Sequence, residues 1–284
     1  MAKVVLTRSR YRKEIPLGLM VLESYLDQTS HKSWIYDLSL DRNSIDSLEK
    51  LVLAEQVDFV GISVGSITHQ MDLDLIKRLK SRSKTKVIIG GTFSNTPKIF
   101  DGLADYLIIG RGEEKLLKLL DDFDIIHSQN PTNKINVNSV NFEEYQFPKD
   151  HNGNREFPLY TSMGCKFRCL YCSIPRINEH DVWFKDTSIV CKEIEELISK
   201  GITRLRFVDD LFGFDKKRTE LLLSRIKKIL GLQGIYTQLR IDCANESLLK
   251  NMRNYPVYFR MGIWLIFSRI ALLCASSSSR SRLG

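Results

Sequence analysis

The sequence lacks any long hydrophobic run. Its most apolar late stretch, Met261 to Phe267, lies between Arg260 and Arg269 and is far shorter than the ~20 apolar residues that a membrane-spanning helix needs. The apolar run after Met1 is too short for the hydrophobic region of a secretory signal. We therefore expect a cytoplasmic protein with no membrane partner, whose six cysteines are thiols, metal ligands or packing residues rather than a disulfide framework.

Signatures of a histidine metal site and of nucleic-acid binding are also missing. The five histidines form no cluster at metal-ligand spacing. Basic residues outnumber acidic ones by 42 to 34, a net charge of +8, but they are spread along the chain and are not interleaved with aromatics. We expect a solvated basic surface and no nucleic-acid partner.

What the sequence does contain is an alternation of short apolar strands with helix-like segments. A chain of 284 residues is long enough for two domains. Residues 1–122 alternate strands at 3–7, 33–36, 58–64, 86–89 and 106–109 with helices at 17–26, 45–53, 71–79 and 113–120. This pattern is typical of α/β units on a doubly wound parallel sheet, as in Rossmann or flavodoxin-like folds.

A second alternation follows a stretch at 123–157 that is rich in Asn, Ser, Asp and Pro and that predicts a linker. Within residues 158–263, strands are predicted at 159–162, 204–208, 235–240 and 257–262. Helices are predicted at 188–199, 216–230 and 246–252. We expect these units to form part of a TIM-like barrel.

Several strands of the first domain end at small residues. Gly65 and Ser66 follow the third strand, Gly90 and Gly91 follow the fourth, and Gly112 follows the fifth. Ligands of doubly wound sheets lie beyond the carboxyl ends of the strands, where glycine lets the backbone approach them closely. These residues are therefore candidate cofactor contacts, and the alternative is that they only form tight turns between strand and helix.

Three cysteines follow the first strand of the second domain. Cys165, Cys169 and Cys172 have the spacing C-x3-C-x2-C, which lets soft thiolate ligands converge from one irregular loop. A structural zinc site has four protein ligands, and a zinc site here would need a fourth that the local sequence does not offer. In an iron-sulfur cluster, three ligands leave one iron open for a substrate or cofactor.

This motif, with the aromatic Tyr171 before its last cysteine, resembles the radical-SAM superfamily. The resemblance implies a 4Fe-4S cluster on the three cysteines and S-adenosylmethionine (SAM) bound at the open iron, with Tyr171 beside its adenine. It also implies an electron donor such as flavodoxin or ferredoxin and an unknown substrate. Asp209 and Arg240, near the ends of the next two strands, are expected to contact SAM, although Asp209 is equally suited to cap the following helix.

The first domain resembles the cobalamin-binding subfamily of these proteins, at residues 16–19, 58–63, 90–92 and 110–114. The subfamily signature D-x-H-x-x-G is absent, since the loop after the first strand reads Thr7-Arg8-Ser9-Arg10-Tyr11-Arg12. Some members lack this signature, and others keep the fold without the corrinoid. The resemblance therefore implies a cobalamin-binding-like domain and leaves cobalamin itself as a possible cofactor.

The final segment, residues 264–284, departs from the family pattern and ends in serines and arginines. Our hypothesis is that the reading frame is lost near Ile263 and that the barrel is truncated at its C-terminus; the alternative is a naturally short variant. We expect an enzyme that cleaves SAM reductively and starts radical chemistry, which includes methyl transfer if cobalamin binds. The alternative is a catalytically incompetent, truncated protein that binds a cluster or a corrinoid.

Overall fold

The chain forms two compact units, Met1–Gln146 and Phe147–Gly284, in a computed structural model. The structure describes residues 1–11, 13–123, 134–136, 138–149, 153–169, 172, 174–177, 181–240, 243–244, 246–253 and 257–261. The boundary between the units falls inside the predicted linker, and the domain limits drawn from the sequence stay a prediction. The tail at 264–284 lies outside the described residues.

The first unit is a five-stranded parallel sheet covered by four helices. Its strands are β1 (Lys3–Arg8), β2 (Lys32–Asp37), β3 (Phe59–Ser63), β4 (Lys86–Gly90) and β5 (Tyr106–Leu107), and its helices are α1 (Leu17–Leu26), α2 (Ile45–Ala54), α3 (His69–Arg82) and α4 (Glu113–Phe123). The strand order is β2-β1-β3-β4-β5, and every pairing is parallel. This is the flavodoxin-like order, so the predicted doubly wound sheet is confirmed.

The core of this unit lies on both faces of the sheet. Neighbouring residues of β1 point in opposite directions, and yet Val4 and Val5 are both fully buried. Val5 packs in a cluster with Leu48 of α2 and Leu75 of α3, whereas Val4 packs with Leu19 of α1 on the opposite face. Burial on both faces explains why the strands read as nearly continuous apolar runs rather than as an alternating pattern.

The second unit is built on a four-stranded parallel sheet. Its elements are β6 (Phe157–Leu159), β7 (Ser162–Gly164), α5 (Ile174–Ile177), β8 (Val182–Phe184), α6 (Thr187–Ser199), β9 (Arg204–Phe212), α7 (Lys216–Ile226), β10 (Gly234–Leu239), α8 (Glu246–Arg253) and β11 (Val257–Met261). The order is β11-β10-β9-β6, with parallel pairings throughout. The predicted run of βα units is confirmed.

The predicted strand at 159–162 is wrong in its bounds. The chain leaves the main sheet after Leu159, turns at Tyr160 and Thr161, and forms β7 as a separate strand that pairs antiparallel with β8. β8 has three residues, which is too short for a periodic sequence signal. β9 continues to Phe212, four residues beyond the predicted end, and its last two residues, Leu211 and Phe212, are buried after the two aspartates.

None of the helices in the described part of the chain is both long and apolar enough to cross a membrane.

Candidate functional site

A cavity opens at the carboxyl edge of the first sheet, between β1 and β3, where the order of successive strands in the sheet reverses. It has a volume of about 280 Å³. Its walls come from the loops after β1, β3 and β4: Arg8, Ser9, Tyr11, Glu14, Ser63, Val64, Gly65, Ser66, Ile67, Thr68 and Thr92. Ligands of doubly wound folds bind at this switch point.

Gly91 shapes the loop behind this cavity. Its φ angle of +93° lies in the left-handed region, and a Cβ there would come within 2.9 Å of both the Ser63 hydroxyl and the Val64 carbonyl oxygen. A side chain at this position is therefore excluded by conformation and by space. The β3 and β4 loops can approach each other only because residue 91 is glycine.

The other predicted glycines have different positions. Gly65 and Ser66 line the cavity, as expected of ligand contacts. Gly90 is the last residue of β4. Gly112 lies against α1, where a Cβ would be 3.2 Å from Leu22 Cδ2, so it allows close packing of helices. A role for these residues in binding a cofactor stays a prediction.

A buried carboxylate, which the sequence analysis did not single out, braces two of the cavity loops. Asp72 in α3 is fully buried, and its Oδ2 accepts hydrogen bonds from the Thr68 hydroxyl (2.8 Å) and the Gly65 N–H (3.3 Å). The Ser9 side chain, in the loop after β1, also bonds to it. Burial raises the pKa of Asp72 above its usual range, and these hydrogen bonds offset part of that rise.

An ion pair between the last residues of β1 and β2 lies at the start of the loop after β1. Arg8 donates to both carboxylate oxygens of Asp37, with distances between 2.8 and 3.1 Å, and to the Ser39 hydroxyl. Beside it, Tyr11 is 49% exposed and Ile67 is 66% exposed. The cavity therefore has a polar base and apolar side chains at its mouth.

In the second unit, the cysteine loop begins directly after β7. Gly164 has a φ of +92°, which turns the chain out of the strand into the loop. Cys165 is buried, and the Cys172 N–H donates to the Cys169 carbonyl oxygen at 3.1 Å. Tyr171, predicted to border adenine, lies outside the described residues.

Two adjacent aspartates in β9 hold the start of this loop. Asp209 accepts hydrogen bonds from the Thr161 N–H and hydroxyl, both at 2.6 Å, and from the Ser162 hydroxyl at 2.7 Å. Asp210 accepts one from the Gly164 N–H at 2.8 Å. The hydrogen bonds of Asp209 thus run to the protein chain before the cysteines, and its predicted contact with SAM stays untested.

Arg218 of α7 adds a second anchor that sequence reasoning missed. Its guanidinium donates to the carbonyl oxygens of Thr161 (2.7 Å) and Lys185 (2.6 Å). Lys185 in turn forms a fully buried ion pair with Glu193 of α6, at 2.9 and 3.0 Å. No local sequence signal marks Arg218, because its partners lie 57 and 33 residues away along the chain.

Arg240, just after β10, lies beside the cysteine loop. Its Nη1 donates to the sulfur of Cys169 at 3.7 Å, and its guanidinium carbon is 3.8 Å from the centre of the Phe167 ring. Arg240 was predicted as a cofactor contact, and the structure brings it to one of the three predicted cluster ligands.

The three thiols influence one another electrostatically. Burial raises the pKa of Cys165, the Phe167 N–H lowers it, and the neighbouring Cys169 and Cys172 raise it. Within the described residues, no three side chains of His, Cys, Asp or Glu are grouped so as to hold one metal ion. A 4Fe-4S cluster requires a different arrangement, because each thiolate ligates a different iron.

Comparison with known proteins identifies the first unit. Residues 3–120 match the B12 binding domain family. This match spans all nine strands and helices of the first unit except the end of α4. The matched residues include the whole lining of the switch-point cavity. They also include the five candidate cofactor contacts of the first unit: Gly65, Ser66, Gly90, Gly91 and Gly112.

Curated relatives of the chain are methyltransferases of low identity. Bacteriochlorophyllide d C-8(2)-methyltransferase of Chlorobaculum tepidum is 25% identical over 49% of this chain and 33% of its own length. Uncharacterized methyltransferases of Synechocystis sp. and Pyrococcus horikoshii are each 27% identical, over 75% and 86% of this chain. The chain spans 33% to 60% of the length of these three relatives.

Solved structures share the fold over most of the chain. The radical S-adenosylmethionine methyltransferase TsrM from Kitasatospora setae, with cobalamin and a [4Fe-4S] cluster bound, superposes with a TM-score of 0.70 at 17% identity. The match covers 89% of this chain and 59% of TsrM. The cobalamin-dependent radical enzyme OxsB matches with a TM-score of 0.65 at 15% identity, over 89% of this chain and 41% of OxsB.

At these identities the structural matches establish the fold. They show that the chain shares its fold with the cobalamin-dependent radical S-adenosylmethionine enzymes TsrM and OxsB.

Proposed function

We propose that this protein is a radical-SAM enzyme that cleaves SAM reductively on a 4Fe-4S cluster and uses cobalamin for methyl transfer to a substrate still to be identified. The observation that supports this most strongly is the three-cysteine loop held at the carboxyl end of a parallel sheet, in a chain whose residues 3–120 match the B12 binding domain family. The methyltransferase relatives favour the same reaction class. An electron donor such as flavodoxin or ferredoxin and a cytoplasmic location stay predictions from the sequence.

The residues of the cysteine loop fit the cluster. The loop sequence contains three cysteines and no fourth, so their thiolates would ligate three irons and leave one exposed. When bound, such a cluster supplies one electron to SAM chelated at the open iron. The chain's own part is to keep Cys165 buried, to fix the start of the loop through Asp209 and Asp210, and to place Arg240 beside Cys169.

The residues of the first unit fit a corrinoid at the switch point, but they offer no histidine from the loop after β1. The cavity is bordered by Gly65 and Ser66, and its mouth carries exposed apolar side chains that suit a flat apolar macrocycle. When bound, cobalamin supplies a methyl carrier. In this chain Arg8 is paired with Asp37 at the end of β2, which stabilises this edge of the sheet.

Anaerobic reconstitution with iron and sulfide tests the cluster assignment. We expect about four irons per chain, an electron paramagnetic resonance (EPR) signal on reduction that changes when SAM is added, and 5′-deoxyadenosine or methylated product. Cys169→Ala should lose the signal, whereas Cys191→Ala, in α6 and outside the loop, should keep it. A colourless zinc protein, or a cluster that ignores SAM, would contradict the proposal. A cluster that responds to SAM but yields neither product would favour an incompetent remnant.

Corrinoid binding is tested separately by filling the cavity. Ser66→Trp places a large ring among the loops that line it, and this variant should lose at least tenfold in hydroxocobalamin retained after desalting. Ser81→Trp is the matched control, since Ser81 is exposed near the opposite end of α3. Equal retention by wild type and both variants would place the corrinoid elsewhere. No retention by the wild type would remove cobalamin from the proposal and leave the cluster chemistry in place.

A further inference from the structure

Arg240 is held against the cysteine loop by two contacts of different kinds. One nitrogen of its guanidinium donates to the Cys169 sulfur at 3.7 Å, while the flat face of the group stacks on the Phe167 ring at 3.8 Å. Phe167 is itself packed edge-on against Phe214, with ring centres 6.2 Å apart. The fork of donors is therefore oriented by the loop that it contacts, and stacking on an aromatic ring is a geometry that arginine adopts and lysine cannot reproduce.

A hydrogen bond and a positive charge at a ligating sulfur change the redox chemistry of an iron-sulfur cluster. The reduced cluster carries one more negative charge than the oxidised one. A hydrogen-bond donor at a ligating thiolate therefore stabilises the reduced form more than the oxidised form. Net charge and hydrogen bonds to the sulfurs are among the factors that set cluster potentials. A permanently charged guanidinium exerts this effect at every physiological pH, because it does not lose its proton.

We propose that Arg240 is a positioning residue that raises the reduction potential of the cluster through its hydrogen bond to the Cys169 sulfur. The step it eases is the one-electron reduction of the cluster by a low-potential one-electron donor, in which the cluster gains one electron, the donor loses one, and no covalent bond forms or breaks. This inference rests on the proposed function, since it requires a cluster on these cysteines. It differs from the sequence-based expectation, in which Arg240 contacts SAM itself.

The midpoint potential of the cluster distinguishes a residue that tunes the cluster from one that contacts SAM, because it is measured before SAM is added. In the full chain reconstituted anaerobically, a redox titration followed by the EPR signal of the reduced cluster gives the midpoint. Arg240→Gln should lower the ratio of reduced to oxidised cluster at a fixed ambient potential by roughly tenfold, which corresponds to ~59 mV for a one-electron couple. A residue that binds only SAM would leave this midpoint unchanged and would instead raise the KM for SAM.

Two further variants keep the test decisive. Phe167→Leu retains every charge and removes the ring on which Arg240 stacks, so it should shift the midpoint in the same direction by a smaller amount. Lys166→Gln removes an exposed positive charge from the same loop; the ammonium group of Lys166 lies 5.9 Å from the centre of the Phe214 ring. This variant should change the ratio of reduced to oxidised cluster less than twofold.

Four outcomes are distinguishable. A lowered midpoint in Arg240→Gln and Phe167→Leu, but not in Lys166→Gln, supports the proposal. If Arg240→Gln fails to hold iron, the Phe167→Leu midpoint decides in its place. Wild-type midpoints in both would overturn the inference and leave the cluster assignment intact. A wild-type protein without any cluster would instead end the proposed function itself.

Discussion

Single side chains in this protein hold its predicted site together over long sequence distances. Asp209 reaches back 48 residues to Thr161, and Arg240 reaches back 71 residues to Cys169. The cysteine spacing could be predicted because it lies within eight residues of sequence. The contacts that Asp209 and Arg240 make could not be predicted, because only the folded sheet brings these side chains to the loop.

Removing the Asp209 carboxylate should weaken the second unit. Asp209→Ala leaves the Thr161 N–H and two hydroxyls without their acceptor in a buried place, at a cost of roughly 3 kcal/mol in free energy of unfolding. Asp210→Ala is the matched control, because it removes one acceptor of one backbone N–H and should cost about 1 kcal/mol. Urea denaturation measures both, and equal losses would show that the three bonds of Asp209 contribute no more than the single bond of Asp210.

Gly91 offers a second test at the residue scale. Gly91→Ala combines an unfavourable positive φ with contacts under 3 Å to Ser63 and Val64, whereas Gly102→Ala has a positive φ of +69° and open space around it. The difference between the two variants isolates the close approach of the loops, and we expect Gly91→Ala to be less stable by about 1 to 3 kcal/mol. The same urea midpoint in both variants would contradict this account of the loop.

At the scale of elements, the bounds of the first two helices could be predicted most closely. The bounds of α1 agree with the prediction at both ends, and α2 differs by one residue. The β7–β8 pair was missed because each strand has three residues and its partner lies about twenty residues away. This hairpin nevertheless determines where the cysteine loop starts, so the most functionally relevant local element had the weakest sequence signal.

The contact between α2 and α3 predicts a pH dependence. Glu49 of α2 accepts hydrogen bonds from Arg78 (2.5 and 3.0 Å) and Arg82 (3.0 Å) of α3, and these arginines lower the pKa of its carboxylate. A carboxylate with a lowered folded-state pKa stabilises the protein above its unfolded pKa, about 4.3, and loses this contribution as pH falls through the folded value.

Glu49→Gln should therefore lower the free energy of unfolding of the first unit by about 0.5 to 1 kcal/mol at pH 7. The gap between wild type and variant should close as the pH falls below about 4. Glu55→Gln is the control, since Glu55 is exposed at the end of the same helix. A gap that stays constant from pH 7 to pH 3 would mean that the arginines do not stabilise the ionised carboxylate.

At the scale of the whole molecule, the order of elements predicted the architecture. Alternating strands and helices predicted both parallel sheets, and the flavodoxin-like strand order placed the cavity at the switch point. The sequence could not show which residues line this cavity, because they come from loops after three different strands that meet only in the folded sheet.

The proposed function requires that three thiolates leave one iron corner of a cluster open and that SAM occupies it. Electron-nuclear double resonance tests this on the reduced, reconstituted protein, with SAM labelled with ¹⁵N at its amino group and ¹⁷O at its carboxylate. We expect hyperfine coupling from both labels to the cluster spin. Coupling from neither label, with an intact cluster and SAM present in excess, would show that the fourth iron is not open to SAM.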